Sequence, residues 1–213
     1  MSQLPPPGTP AKEFFERFVP KAFAANPLSD DARQVEVTLG VRLEGDGGGE
    51  WCFHLKQGEL RVAPGATEDA AFTVIQSVAD WRGALWEGRG GAFGRQSQAL
   101  FQPGAGAGGA GAIPPSALAQ LQALRGVIKM VVTGDKDGDW AVAFKLGPGP
   151  VPPQPTTTVS VSADDAAALE RGELDPMQAF MAGRIQVAGD MALLMQMQAI
   201  QMQAAAAAQT RKP

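Results

Sequence analysis

The chain has 213 residues, a net charge of -4 at neutral pH and an isoelectric point of about 5.1. That balance provides no basic footprint for nucleic acid or for an anionic membrane surface, and the length allows one large domain or two small ones, each with a real core. Cys52 is the single cysteine, so no internal disulfide framework exists, which suits a reducing, cytoplasmic setting.

Residues 1-10, MSQLPPPGTP, are proline-rich and read as a disordered tail with neither the basic nor the apolar stretch of a secretory leader. From Lys12 the pattern is helical: Phe14, Phe15, Phe18, Val19, Ala22 and Phe23 form a wide apolar stripe. Thr9-Pro10 is the expected start, with threonine as the cap, and Asn26-Pro27 the stop, so the helix should end near Ala25. Val35, Val37, Leu39, Val41 and Leu43 then alternate with polar residues, the signature of a half-buried strand. The glycine loop 45-50 leads into Trp51, Phe53 and Leu55, and a turn at Gln57-Gly58 into a third strand, Glu59-Val62. Connections this short require an antiparallel meander. Phe72-Ser77 is a fourth strand, Ser77-Val78-Ala79-Asp80 a capping-box pattern, and Trp81 to Trp86 a helix closed by Gly88.

The stretch PGAGAGGAGA (103-112) has too little side chain to pack and reads as a flexible linker. It lacks the Gly-Lys-Ser/Thr and the strand-loop-helix frame of a phosphate loop. After it the pattern recurs. Ser116-Leu124 is a short helix, Ile128-Thr133 a strand, GDKDGD (134-139) a hairpin loop, and Trp140, Val142 and Phe144 a second strand. GDGGGEWCFHLK and GDKDGDWAVAFK align Trp51 with Trp140 and Lys56 with Lys145, and ADWRGALWEG aligns with ADDAAALERG. Two copies of one supersecondary unit follow. The second lacks the third strand, because Pro148 to Pro155 cannot donate to a ladder. In the first, AFGRQSQALF (92-101) looks truncated. The second continues into a strand from Arg184 and a methionine-rich helix.

SADDAAALERGELDP (162-176) and AFMAGRIQVAGDMALLMQM (179-197) resemble a sterol carrier protein type-2 domain, and EFFERFVPKAF (13-23) resembles that family's N-terminal helix. The resemblance divides the chain into a first repeat, 11-101, degenerate at its C-terminal end, a Gly/Ala linker, 102-112, a second repeat, 113-208, and a tail, 209-213. It implies a duplicated α+β fold: five-stranded, mainly antiparallel sheets covered by helices on one face, with a lipid tunnel between. The implied function is non-catalytic binding and transfer of sterols, fatty acids or fatty acyl-CoA, without a cofactor. Its partners would be the apolar ligand and, transiently, a membrane, the protein being a monomer or homodimer.

The residues support a pocket independently. Leu193, Met197, Ile200 and Ala204 lie within an arc of about 60° at ~100° per residue, and Met191, Met195 and Met202 occupy the opposite side. A helix with two apolar faces is expected to be sandwiched, and methionine suits a surface that refits to different shapes. The plainer alternative is ordinary core at the junction of the repeats. The expected ligand-binding residues are Phe180, Met181, Ile185, Val187, Met191, Leu194, Met195 and Met197.

Other polar features read as structural. Adjacent Asp164 and Asp165 point ~100° apart on a helix and serve its N-terminus after Ser162. His54 and Cys52 belong to the wet face of their strand, and Asp135 to Asp139 to a hairpin turn without an EF-hand glutamate. The rival function is a structural or protein-interaction module whose repeats pack shut and which binds a partner through the methionine helix.

Overall fold

The computed structural model describes residues 4-25, 33, 36-99, 120 and 122-209. The linker, Val35, Asn26-Pro27 and most of the expected helix at 116-124 fall outside them.

Helix α1 begins at Ala11-Glu13, widens into a π-turn at Phe14-Phe18 and finishes at Val19-Ala24, capped by Ala25. Thr9 is not its cap. Pro10 occupies that position, and the Thr9 hydroxyl donates instead to the Pro6 carbonyl. Pro20 has no N-H to continue the ladder, and the Val19 N-H reaches back five residues to the Phe14 carbonyl. The bulge lets Phe14 and Phe15, neighbours in sequence, both be fully buried.

Eight strands form one sheet: β1 (Val37-Glu44), β2 (Gly49-Lys56), β3 (Glu59-Pro64), β4 (Phe72-Ser77), β5 (Gly126-Thr133), β6 (Trp140-Leu146), β7 (Thr157-Ser162) and β8 (Ile185-Gly189), in the order β3-β2-β1-β4-β6-β5-β7-β8. The β1-β4 and β5-β7 pairs are parallel and the rest antiparallel. Helix α2 (Val78-Arg82, continued by a π-turn at Gly83-Glu87), α3 (Gly91-Ala99), α4 (Ala163-Glu170), α5 (Pro176-Met181) and α6 (Met191-Gln209) complete the α+β fold. Ser77 and Ser162 each accept from the N-H three residues on, and Gly88 closes α2 in the left-handed region at φ 71°.

In place of two five-stranded sheets, the described residues build a single sheet of eight strands, for a reason visible in the sequence. Pro148 to Pro155 leaves the outer edge of β6 without a strand of its own half. Residues 91-99 are helical, which leaves the outer edge of β4 open in the same way. The two open edges pair, Phe72 with Leu146 and Val74 with Phe144. An unpaired edge in mid-molecule would strand backbone donors and acceptors, so the join satisfies both at once.

Alternation puts Leu39, Val41, Phe72, Val74, Phe144, Ile128, Met130, Val159 and Val187 on one face by register. The first half of that face is sealed by rings. Phe14 meets Trp81 edge-on at 5.2 Å, Phe15 lies 4.8 Å from Trp51, and Trp81 lies 5.3 Å from Trp86. The opposite face is capped around Gly40, where an added Cβ would lie 2.7 Å from the Thr73 hydroxyl and 2.8 Å from Thr67.

Candidate functional site

The apolar face is not filled evenly. Beyond the aromatic seal, Leu39, Phe72, Met130 and Phe144 are only half-buried. Phe72 and Phe144, facing across the β4-β6 join, stack with ring centroids 5.5 Å apart. They form a floor at mid-sheet, where the two halves meet.

Helix α6 crosses one end of this floor. Leu193 and Ile200 are buried, and Leu193 packs with Ile128 and Leu146, bordered by Phe72, Leu124, Leu194 and Met197. Asp190 starts the helix: its Oδ1 accepts from the N-H groups of Ala192 (2.8 Å) and Leu193 (3.4 Å). Thr157 donates its hydroxyl to the Asp190 carbonyl at 2.7 Å, tying the helix start to β7. The second apolar face faces solvent and is not sandwiched: Met195 is 65% exposed and Met202 73%. The burial of Leu193 fixes the rotation of α6, and its opposite side is then turned away from the described sheet.

The eight expected ligand-binding residues therefore separate into groups. Leu194 and Met197 join the cluster with Phe72, Ile128 and Leu146. Ile185 borders the main core, and Val187 is half-buried opposite Val159. Phe180, Met181, Met191 and Met195 are exposed, Met181 at 77%. The floor residues Leu39, Phe72, Met130 and Phe144 were outside the expected set. Their signal was period-two alternation in four separate strands, which gives no hint that the strands become neighbours.

Polar groups near the face are few and specific. Gln76, paired in register with Leu43, is buried with neither amide atom hydrogen-bonded, and the Trp81 Nε1-H is likewise buried without a partner. On the other face, the Lys145 ammonium donates to the carbonyls of Gly149 (2.6 Å), Glu68 (3.2 Å) and Thr67 (3.4 Å). Burial pushes its pKa below the ordinary lysine value. At the rim, Arg184 pairs with Asp165, and its hydrogen bond, with that of Ser162, holds the Asp165 carboxyl below its usual range. Asp164 is exposed, so the two aspartates diverge as helix geometry requires.

The remaining polar candidates are placed as the alternation implies. His54 is exposed with Nδ1 3.1 Å from the Thr38 hydroxyl. Cys52 Sγ lies 3.1 Å from the Ala66 carbonyl, and burial raises its pKa, which keeps the thiol protonated. Asp135 Oδ2 accepts from Gly90 N-H at 2.8 Å and faces Arg89, while Asp139 Oδ1 accepts from Gly134 N-H. Among the described residues no group of three or more histidine, cysteine or acidic side chains could hold a metal ion, and no helix is long and apolar enough to cross a membrane.

Residues 110-202 match the SCP-2 sterol transfer family. A stretch of 85 residues is 25% identical to hydroxysteroid dehydrogenase-like protein 2 of Xenopus laevis, covering 38% of this chain and 20% of that protein. The chain thus spans about a fifth of the curated relative it matches. Among solved structures, sterol carrier protein domain 2 of Helicoverpa armigera is 26% identical over 41% of this chain and 74% of its own, with a TM-score of 0.31. Sterol carrier protein 2 like 2 of Aedes aegypti is 22% identical over 37% of this chain and 83% of its own, with a TM-score of 0.27.

Proposed function

We propose that this chain, whose residues 110-202 match the SCP-2 sterol transfer family, is a non-catalytic carrier for the apolar part of a sterol, fatty acid or fatty acyl-CoA. The ligand would lie on the half-buried floor of Leu39, Phe72, Met130 and Phe144 and against Leu194 and Met197 of α6. The observation that carries the reading is the contrast between the halves. Rings of the chain's own first helix seal one end of the face, while side chains of equal apolarity at mid-sheet are left partly uncovered. Such a surface gains by covering apolar area and makes few chemical demands. About ten buried methylenes at ~0.8 kcal/mol each supply ~8 kcal/mol, the scale of a micromolar complex before ordering costs.

Native mass spectrometry of the untreated protein tests this directly, together with displacement of a fluorescent fatty-acid probe. Bound mass in the lipid range is expected, with probe affinity lost in Phe144→Asp at unchanged far-UV circular dichroism. A protein that carries no lipid and takes up no probe would sink the reading. The rival reading, a protein-interaction module, is favoured by the exposed Met177, Met181, Met195 and Met202. Probe binding that survives Phe144→Asp but not Met195→Asp would move the site to that patch.

A further inference from the structure

The two edges of the sheet are treated differently. At one edge β3 carries Glu59 and Arg61 and ends in Pro64, devices that discourage a further strand. At the other, β8 reads IQVAG, with no charge and no proline. Its direction of pairing follows from one bond. The Asp190 N-H donates to the Thr156 carbonyl at 3.0 Å, and Thr157 stands opposite Gly189. Backbone groups alternate sides along an antiparallel strand, so Gln186 and Ala188 face β7, while Ile185, Val187 and Gly189 aim their N-H and C=O groups outward. The sheet order ends there, and no described residue pairs with them.

We propose that this edge is the seam of a homodimer, in which β8 pairs antiparallel with β8 of a second copy about a two-fold axis through Val187. The strand is complementary to itself in that register. Val187 opposes its counterpart, Ile185 opposes Gly189 of the second copy, and each outward donor meets an acceptor. The flanking charges then match. Arg184 stands opposite Asp190 of the second copy at both ends, on the same face of the sheet, where opposite charges attract. Both are exposed. Arg184 has donors beyond those that hold Asp165, and the Asp190 Oδ1 carries the α6 cap. A one-residue slip would oppose unlike faces and lose both charge pairs. Helix α5, packed on β8, leaves Met177 and Met181 exposed beside the seam.

Light scattering on the full chain, before and after delipidation, should give twice the chain mass in both cases, and Val187→Pro, which removes an outward N-H, should give the chain mass at unchanged circular dichroism. Because proline also disturbs the strand that carries it, Val187→Cys and Val62→Cys are compared in a Cys52→Ser background with a short thiol-thiol cross-linker. At least ~10-fold more dimer is expected from Val187→Cys, since Cα atoms opposite each other in such a pair lie ~5.5 Å apart. A monomer at ~100 μM, a Val187→Pro dimer, or equal cross-linking at the two edges would overturn the assignment.

Discussion

Lys145→Met tests how the two halves are held as one sheet. Methionine keeps the length and apolar volume of the lysine stem but removes the ammonium. The three carbonyls it serves are not equally dependent on it. Thr67 O also accepts from Ala70 N-H and the Thr73 hydroxyl, and Glu68 O accepts from Gly149 N-H at 2.8 Å. Gly149 O, at 2.6 Å, relies on the lysine most. One short bond to a charged donor contributes ~1.5-3 kcal/mol net, and the relieved desolvation of the ammonium offsets part of it. The expected loss is ~2 kcal/mol, or a fall in melting temperature of roughly 4-8 °C for a chain of this size. Urea and thermal denaturation read it directly. The sign of the pH dependence is a second check. With its folded pKa lowered, Lys145 binds fewer protons in the native than in the unfolded state. The parent should therefore gain stability relative to the variant as pH rises through the folded value toward ~10.4. A variant as stable as its parent, with no such trend, would refute the account.

Three further perturbations follow from buried and rim groups. Gln76→Met removes two buried amide atoms without partners and should raise stability by ~1-3 kcal/mol in denaturant titrations, whereas a loss would mean the amide is satisfied in solution. Asp165→Asn should cost ~0.5-1 kcal/mol at neutral pH, because its partner Arg184 is about half exposed. The lowered Asp165 pKa makes that contribution present above ~3.9 and lost as pH falls through the folded value, so parent and variant should converge in acid unfolding. Trp140→Phe deletes the bond from its indole N-H to the Asp80 carbonyl at 2.9 Å and should cost ~1 kcal/mol or more, read by chemical denaturation.

Much of the fold was legible because local rules decided it. Alternation in β1, β2, β5 and β6, the serine caps Ser77 and Ser162, and the stop at Gly88 each depend on a few adjacent residues. The π-turn at Phe14-Phe18 was not legible, because an apolar stripe at helical spacing fits a regular helix as well. The β4-β6 pairing was hidden for a deeper reason. Each half advertised a missing strand, but strand pairing between distant segments leaves no periodic trace in either. The site followed the same division. The packing side of α6, with Leu193 and Ile200, was readable from helix geometry, while the stacked Phe72 and Phe144 depended on the join.

That join also bears on how many ligands one chain can hold. In the first half, the helix that would roof a pocket brings Phe14 and Phe15 into contact with Trp51, Phe53 and Trp81, and the burial of these five rings leaves them little surface for a ligand to cover. In the second half the methionine helix touches the sheet through Leu193 and leaves most of its other apolar side uncovered. The half-buried floor lies between, with Phe72 from one half and Phe144 from the other. A ligand seated there would rest on both halves at once. Under the proposed carrier function, one ligand per chain is the stoichiometry this arrangement favours, and separating the halves would divide the floor itself.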